Sequence, residues 1–445
     1  MVEIGSFAIC TRIYCPDTKT SDILPSFLKK SIFDIPSHFA YNQETMNELE
    51  RQLRIIRKNS VEVLPEKELV EKLERSLKEK KPLRVKYGID PTGSEIHLGH
   101  TVPIRKLKDF QDLGHQIIFL VGDFTATIGD PTGRNETRPI LSKKQIEENL
   151  FGYKKQIGKI LNLKKTEFRY NSQWLTKLKL EELLKLAKNF TIARILERDD
   201  FFLRYKSGKP IFMQEFLYPL MQGYDSVILN SDVEVGATEQ KFNLLAGRSL
   251  QESLGKEPQV IITMPVLEGT DGKKKMSKTY NNYIGVDEKP EEIYGKLMSI
   301  PDSLMKKYFH LLTELSERKI DEFLKNPLLA KKKLANSIVE MYHGKEKAEK
   351  AEKYFERIFQ KRKIPEQMPV FNLKKGDLRE GKIWIVRLLC LTKLANSHND
   401  AKRLISQKAV SLNGAIISNP DLELKPKGGI ILKVGKRHFV EVRGK

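Results

Sequence analysis

The chain has 445 residues, with 79 Lys and Arg against 58 Asp and Glu and a formal net charge of +21. That length supports two to four domains with a sizeable core, and the positive excess suits a polyanionic partner such as nucleic acid. Three cysteines, Cys10, Cys15 and Cys390, exclude a disulfide framework or a cysteine zinc site and point to a reducing cytoplasm; no apolar run approaches the length that crosses a membrane. Met1 to Thr45 carries Pro16, Pro25 and Pro36 and no sustained periodicity. Glu3, Asp17, Asp22 and the lack of an apolar run weigh against a targeting peptide there. The expectation is a tail, or an extension upstream of a true start at Met46. Leu49, Leu53 and Ile56 then mark an amphipathic helix, and Leu69, Leu73 and Leu77 mark a second over Glu66 to Lys80.

Next, a β-prone Leu83-Arg84-Val85 breaks at the turn residues Gly88, Asp90, Pro91 and Gly93. His97-Leu98-Gly99-His100 follows, then a segment with helical spacing at Val102, Ile104, Leu107, Phe110 and Leu113, with Pro103 expected in its first turn. Strand, glycine-bearing loop and helix place backbone N–H groups and two imidazoles at a helix N-terminus, a setting suited to phosphate. Gly99 matters because a side chain there would hold a nucleotide off the backbone. Gln116 to Val121 reads as a parallel strand running into the glycine-rich loop Gly122 to Arg134, the start of a doubly wound sheet. Helices are expected over Ser142 to Leu161, within Leu180 to Arg198, over Phe212 to Tyr224 and over Glu239 to Leu250. The strand Val260 to Met264 is expected to close the sheet and deliver the loop Lys273 to Thr279. From Lys289 the pattern is helical, with Leu328 to Gln360 as one segment, and Ile364 to Asp377, with two prolines, reads as linker. Ile383 to Lys445 carries 12 Lys and Arg against 4 Asp and Glu, with two short helices and β-prone pieces separated by Asn413-Gly414 and Gly428-Gly429.

HLGH at 97–100 and KMSK at 275–278, in that order and on those elements, resemble the two signatures of the class I aminoacyl-tRNA synthetases. With Gly129-Asp130-Pro131 and the stretch Tyr218 to Asp225, the resemblance to the tyrosyl-tRNA synthetase family runs from Met46 to Lys445. It implies an α/β fold: a Rossmann-like doubly wound parallel-sheet catalytic domain (46–285), an all-helical anticodon-binding domain (286–363), a linker (364–382) and a small α+β RNA-binding module (383–445). In the last, Ala401 to Gly414 resembles the alpha-L module of a ribosomal protein. It also implies a homodimer acting on L-tyrosine, ATP and tRNA(Tyr), with Mg²⁺ carried on the ATP phosphates and no protein metal site.

The chemistry is in-line attack of a carboxylate on the α-phosphate of ATP, so the protein supplies position and charge rather than a nucleophile. His97, His100 and Thr92 are placed to donate to phosphates, and Lys275 and Lys278, with Thr279, to offset charge on the leaving pyrophosphate. Arg134 and Arg138 are expected to close over it. The resemblance assigns Asp90, Gly99, Gly236, Ala237, Glu239, Met276 and Ser277 to ATP. It assigns Asp130, Tyr218, Gln222 and Gln240 to the amino acid, and Asp225 to the phenol O–H. Tyr218, Gln222 and Asp225 fall at i, i+4 and i+7, one helix face. Lys402, Arg403, Lys408, Lys436 and Arg437 are the expected tRNA phosphate contacts.

Two departures stand out. Lys86 occupies the position where the main bacterial branch has a second phenol-binding tyrosine, which leaves the second phenol partner unassigned. In the ribose-binding segment Gly236-Ala237-Thr238-Glu239-Gln240, Glu239 replaces the usual aspartate and Ala237 a glycine, so Glu239 reaches one methylene further and Ala237 is expected to crowd the nucleotide. The rival readings are the tryptophan branch of the same fold, a non-catalytic RNA-binding derivative, and a small-molecule nucleotidylyltransferase. Asp225 argues for a phenol, intact signatures for catalysis, and the basic C-terminal module for RNA.

Overall fold

The computed structural model describes residues 43–132, 142–360, 368–425, 429–435 and 438–444. The remaining stretches, with Arg134, Arg138, Lys436, Arg437 and the expectations for the first 42 residues, lie outside the described residues. The chain divides after Glu50 into two units. Of the first, only the opening turns of helix α1 (Gln43–Arg57) are described, and this helix starts three residues before Met46.

The second unit is built on a six-stranded sheet. Its strands are β1 (Glu62–Leu64), β2 (Arg84–Ile89), β3 (Gln116–Val121), β4 (Thr166–Tyr170), β5 (Val233–Ala237) and β6 (Val260–Met264), in the order β1-β6-β5-β2-β3-β4. All neighbours are parallel except β1 and β6. The apolar runs of β3 and β6 are buried almost throughout, as a sheet covered on both faces requires. Val260–Met264 was expected to close the sheet; Glu62–Leu64 lies beyond it as an antiparallel edge, too short to show a period in the sequence. The order reverses between β2 and β5, and in open α/β sheets ligands bind beyond the strand ends at that switch point.

Helix α2 (Glu66–Glu79) precedes β2, and α3 (Leu98–Asp112) links β2 to β3. Pro103 lies in the second turn of α3, not the first, because the helix already starts at Leu98. Its missing N–H leaves the Gly99 carbonyl without its i+4 donor. Between β3 and β5 come α4 (Thr125–Ile128), α5 (Lys143–Ile157), α6 (Ser172–Leu175), α7 (Leu180–Ala187), α8 (Ile192–Leu196), α9 (Asp199–Lys206) and α10 (Met213–Leu229). Ser142 caps α5: its Oγ accepts the Gln145 N–H at 3.3 Å while Gln145 Oε1 accepts the Ser142 N–H at 2.9 Å. Helix α11 (Lys241–Ser253) leads to β6 and packs along α10. Ile118, Leu120, Leu220, Met221, Leu229 and Trp174 form a core between the sheet and α10.

Five helices follow: α12 (Pro290–Ser299), α13 (Met305–Leu312), α14 (Glu317–Leu324), α15 (Pro327–His343) and α16 (Lys345–Phe355). The single segment expected over Leu328 to Gln360 is split at Gly344, whose φ of 88° ends α15. The C-terminal sheet runs β10-β9-β12-β13-β7, from β7 (Val370–Leu373), β9 (Val410–Leu412), β10 (Ala415–Ile416), β12 (Gly429–Val434) and β13 (His438–Gly444). A separate pair joins β8 (Ile383–Trp384) to β11 (Glu423–Leu424). Helices α17 (Ile385–Leu391) and α18 (His398–Ser406) cover a core of Leu388, Leu389, Ala401, Ile405, Leu432 and Val442. Val370–Leu373, read from sequence as linker, is a strand of this sheet, parallel to β13. Its partner lies some 70 residues away in the register Glu441↔Val370, so no local pattern announces it.

The α10–α11 crossing yields a stability prediction. A Cβ on Gly223 would stand 2.8 Å from Leu250 Cδ1 and 3.1 Å from the Ala246 carbonyl oxygen. Gly223→Val is expected to cost about 1–3 kcal/mol by overpacking. Urea unfolding checks this, and an unchanged midpoint would refute the tight crossing.

Candidate active site

A cavity of about 320 Å³ opens where the switch point predicts it, lined from the loops after β2, β3 and β5 and from the lysine loop. Two backbone hydrogen bonds join its far-separated walls: Leu98 N–H donates to the Ile284 carbonyl and Val286 N–H to the Ile96 carbonyl, each at 2.9 Å. His97 and Gly285 form a β-bridge between them. The two signature segments therefore face one another. A Cβ on Gly93 would come within 2.8 Å of Lys278 Nζ, and one on Gly99 within 3.1 Å of the His97 ring and 3.5 Å of Met276 Cβ.

The His97 and His100 rings stack with centroids 3.7 Å apart. The His97 N–H donates to His100 Nδ1 at 3.3 Å, which leaves His100 Nε2 as the proton-bearing, donating nitrogen of the neutral ring. His97 is 7% exposed and its Nδ1 has no hydrogen-bond partner among the described residues. Burial, then His100 and Lys278 nearby, holds its pKa well below the usual imidazole range, so it stays neutral. Thr92 and Thr279 are exposed at the rim. Burial lowers the Lys278 pKa, while Lys275 pairs with Glu239 at 2.9 Å. Asn282 organises the lysine loop: its Oδ1 accepts the Ser277 N–H at 2.8 Å, and its Nδ2 reaches Asp271 at 3.1 Å and the Lys275 carbonyl at 3.1 Å. Met276 is buried under this loop, its N–H on the Leu267 carbonyl.

Polar groups converge on the inner wall. Asp90 accepts from Thr125 Oγ1 at 2.8 Å and from the Tyr218 hydroxyl at 2.9 Å. Gly122 is glycine because a Cβ there would fall 2.1 Å from the Asp90 carboxylate. Asp130 accepts the Thr132 N–H at 2.9 Å and Gln240 Nε2 at 2.7 Å. Gln240 is itself held by Asn243 at 2.9 Å, and Asn243 by Arg198 at 3.0 Å. Asp225, 2% exposed, accepts from Trp174 Nε1 at 2.8 Å and Asn171 Nδ2 at 3.2 Å. Burial pushes its pKa up to about 7, against the opposing pull of Lys86 and of its two donors, with Glu234 adding to the rise. Gln222 Nε2 donates to Glu234 at 3.3 Å. Gly236 packs on Leu244 of α11, and Ala237 and Glu239 stand at the cavity mouth.

Of the residues singled out from sequence for ATP and tyrosine, all that fall among the described residues line this cavity. Lys402, Arg403 and Lys408 are exposed on and just beyond α18, away from these loops in sequence, and Arg403 is bound to Asp400 at 2.6 Å. Sequence reasoning missed Thr125, Asn171, Trp174, Glu234, Asn243, Arg198 and Asn282. The available signal was polarity in an apolar context, as for Glu234 between Val233 and Val235 of a buried strand.

A family profile described as tRNA synthetases class I (W and Y) matches residues 78–360. The chain is similar to the tyrosine–tRNA ligase of Carboxydothermus hydrogenoformans, 49% identical over 405 residues, covering 89% of this chain and 98% of that protein. It is 48% identical over 402 residues to the tyrosine–tRNA ligase of Thermotoga maritima, with 89% and 98% covered. Among solved structures, the Archaeoglobus fulgidus tyrosyl-tRNA synthetase complexed with L-tyrosine aligns with a TM-score of 0.55 and 26% identity over 68% of this chain and 99% of that one. A C-terminally truncated Aspergillus nidulans mitochondrial tyrosyl-tRNA synthetase shares the fold at a TM-score of 0.58 and 24% identity, over 72% and 95%.

The buried carboxyl of Asp225 gives a direct expectation. Difference infrared titration of the wild type against Asp225→Asn should show one carboxyl titrating near pH 7, the carboxylate band growing as pH rises. A titration in the ordinary carboxylate range would contradict the burial described.

Proposed function

The chain belongs to the class I tRNA synthetases, in the tyrosine–tRNA ligase group, and from that premise we propose how its residues divide the work. It is a ligase that activates L-tyrosine with ATP, releasing pyrophosphate, and transfers tyrosine to tRNA. The observation that carries the division of labour is the polar face of α10, with Tyr218, Gln222 and Asp225 all at the cavity.

Asp225 is the acceptor for the phenol O–H. Its depth and its two donors fix its oxygens in place, and a carboxylate so held rewards a hydroxyl and is left unpaired by a ring without one. Asp130, Gln222 and Tyr218 form the ammonium site at the other end of the amino acid, with Gln240 orienting Asp130. Tyr218 reaches that role while anchored on Asp90, so the Asp90 carboxylate acts on tyrosine and nucleotide sides alike. The tyrosine carboxylate then attacks the α-phosphorus. His100 Nε2, His97 and Thr92 donate to the phosphate oxygens as charge builds, and Lys275, Lys278 and Thr279 meet the leaving pyrophosphate. Glu239 takes the ribose hydroxyls. Because Lys275 is paired with Glu239, ATP exchanges that pair for two of its own: ribose for Glu239, phosphate for Lys275. Mg²⁺ comes with the phosphates. Arg134 and Arg138 complete the phosphate side. We assign Lys402, Arg403, Lys408, Lys436 and Arg437 to tRNA phosphates, a contact class that positions RNA without reading it, and 286–363 to the anticodon arm. No helix among the described residues is long and apolar enough to cross a membrane, and a cytoplasmic place of work fits the cysteine usage.

The functional unit we propose is a homodimer. Leu180, Leu184, Leu203, Tyr205, Phe212 and Met213, on α7 to α10 and the chain between them, are 51–73% exposed. Large apolar side chains concentrated in one part of a chain mark an association surface.

Two measurements test this reading. His97→Ala and His100→Ala should fold normally and lose roughly 10-fold to 1,000-fold in single-turnover adenylate formation, as for lost transition-state donors; unchanged rates would remove both from the chemistry. Sedimentation should give twice the 51.4 kDa chain mass, and Leu203→Glu with Met213→Glu should shift it to monomer. A wild-type monomer at micromolar concentration would refute the dimer.

A further inference from the structure

Lys86 lies in the middle of β2 and is 0% exposed; Glu234, on the neighbouring β5, is 1% exposed. Both line the cavity beside Gln222 and Asp225. A buried ammonium persists only if its donors are satisfied and its charge is met. The three N–H groups of Lys86 find Glu234 Oε1 at 2.9 Å, Ser226 Oγ at 2.7 Å and the Gln222 carbonyl at 3.1 Å. The Glu234 carboxylate accepts from Lys86, from Gln222 Nε2 at 3.3 Å, from Ser226 Oγ at 3.0 Å and from Gln259 Nε2 at 2.5 Å. With every donor engaged, Lys86 has none left for a phenol, so it does not take over the missing tyrosine's hydrogen bond. What the pair holds is one turn of α10, Gln222 to Ser226, whose inner face carries Asp225.

We propose that Lys86 and Glu234 are a matched pair of positioning residues for tyrosine recognition: through Gln222 and Ser226 they hold the turn of α10 that presents Asp225 to the cavity, with one charge of each sign beside the phenol acceptor. The inference rests on Asp225 being the phenol acceptor. Lys86 from β2 and Glu234 from β5 line the cavity with Asp225; Asn171 and Trp174 from the segment after β4 donate to it directly, and Asp90 is linked to it through Thr125 and Asn171. Burial works against its charged form, Lys86 and the two donors favour that form, and Glu234 opposes it. Removing either member of the pair therefore moves Asp225 in opposite directions. Without Lys86 the acceptor protonates at higher pH; without the Glu234 charge it stays ionised to lower pH.

The test uses the full-length protein and tyrosine-dependent pyrophosphate exchange, with kcat/KM for tyrosine followed against pH and its ratio to kcat/KM for phenylalanine measured. In Lys86→Met the acid limb should move up by about half a pH unit or more, KM for tyrosine should rise about 10-fold to 100-fold with kcat changed far less, and the preference over phenylalanine should fall about 10-fold. Lys86→Arg should keep much of the wild-type preference. In Glu234→Gln, which keeps the side-chain shape, the limb should move down. Should Lys86→Met fail to fold, Glu234→Gln carries the test alone, since a purely structural pair gives no reason for a downward shift. An acid limb unmoved in folded Glu234→Gln, or moved the same way in both variants, overturns the proposal. Asp225→Asn is measured alongside: loss of the limb and of discrimination supports the acceptor reading, whereas wild-type discrimination in that variant overturns the acceptor reading itself, whatever the pair does.

Discussion

Residues 96–98 and 284–286 are paired backbone to backbone, and the cleft exists because of that pairing. Leu98 N–H on the Ile284 carbonyl and Val286 N–H on the Ile96 carbonyl tie the N-terminus of α3 to the chain that leaves the lysine loop. The sheet alone places the loops after β2 and β6 on the same edge but two strands apart. The added pairing brings Lys278 to Gly93 and Met276 to Gly99, so the imidazoles and the ammonium groups share one cavity. Gly122 permits an approach to Asp90 and Thr125 that any side chain would block, and a Cβ at Gly99 would press on the His97 ring.

Below that cleft the interior is more polar than a core needs to be. Lys86 with Glu234, Arg198 with Asp200 and Arg204 with Glu215 are three ion pairs with side chains at most 9% exposed. Buried pairs add little net stability, because desolvation offsets attraction, yet removing one partner costs about 3–5 kcal/mol. Their effect is to admit only one arrangement. Arg198 holds Asn243, Asn243 holds Gln240, and Gln240 holds Asp130, so the Asp130 carboxylate is positioned through a buried chain of side chains. Glu234 does the same for Gln222. The substrate thus meets side chains whose orientation is set before it arrives, the condition for electrostatic preorganisation.

Much of this was legible in the sequence. Both signatures sit on the elements read for them, β3 and β6 span the residues expected, and Tyr218, Gln222 and Asp225 share the helix face that their spacing implies. What was not legible is non-local. Lys86 stands out in the sequence only as a departure from the family's tyrosine; its partner Glu234 lies 148 positions later and on another strand, where no local pattern announces it. Asn171, Trp174 and Asn282 are ordinary polar residues until the fold places them against Asp225 and the lysine loop. The edge strand Glu62–Leu64 and the strand Val370–Leu373 are defined by partners about 200 and 70 residues away, beyond any periodicity. From the sequence Glu239 is expected to be a ribose ligand alone; its pairing with Lys275 joins the end of β5 to the lysine loop and depends on that loop's position.

The central claim is that a buried carboxylate on α10 selects the amino acid by its hydroxyl. The most direct measurement is ATP–pyrophosphate exchange by the wild-type protein with tyrosine and with phenylalanine, compared as kcat/KM under identical conditions. A site built to bond a hydroxyl predicts a preference for tyrosine on the order of 10⁴ to 10⁵. A preference of only about 10² or less, the discrimination a pocket of shape alone provides, would contradict the account.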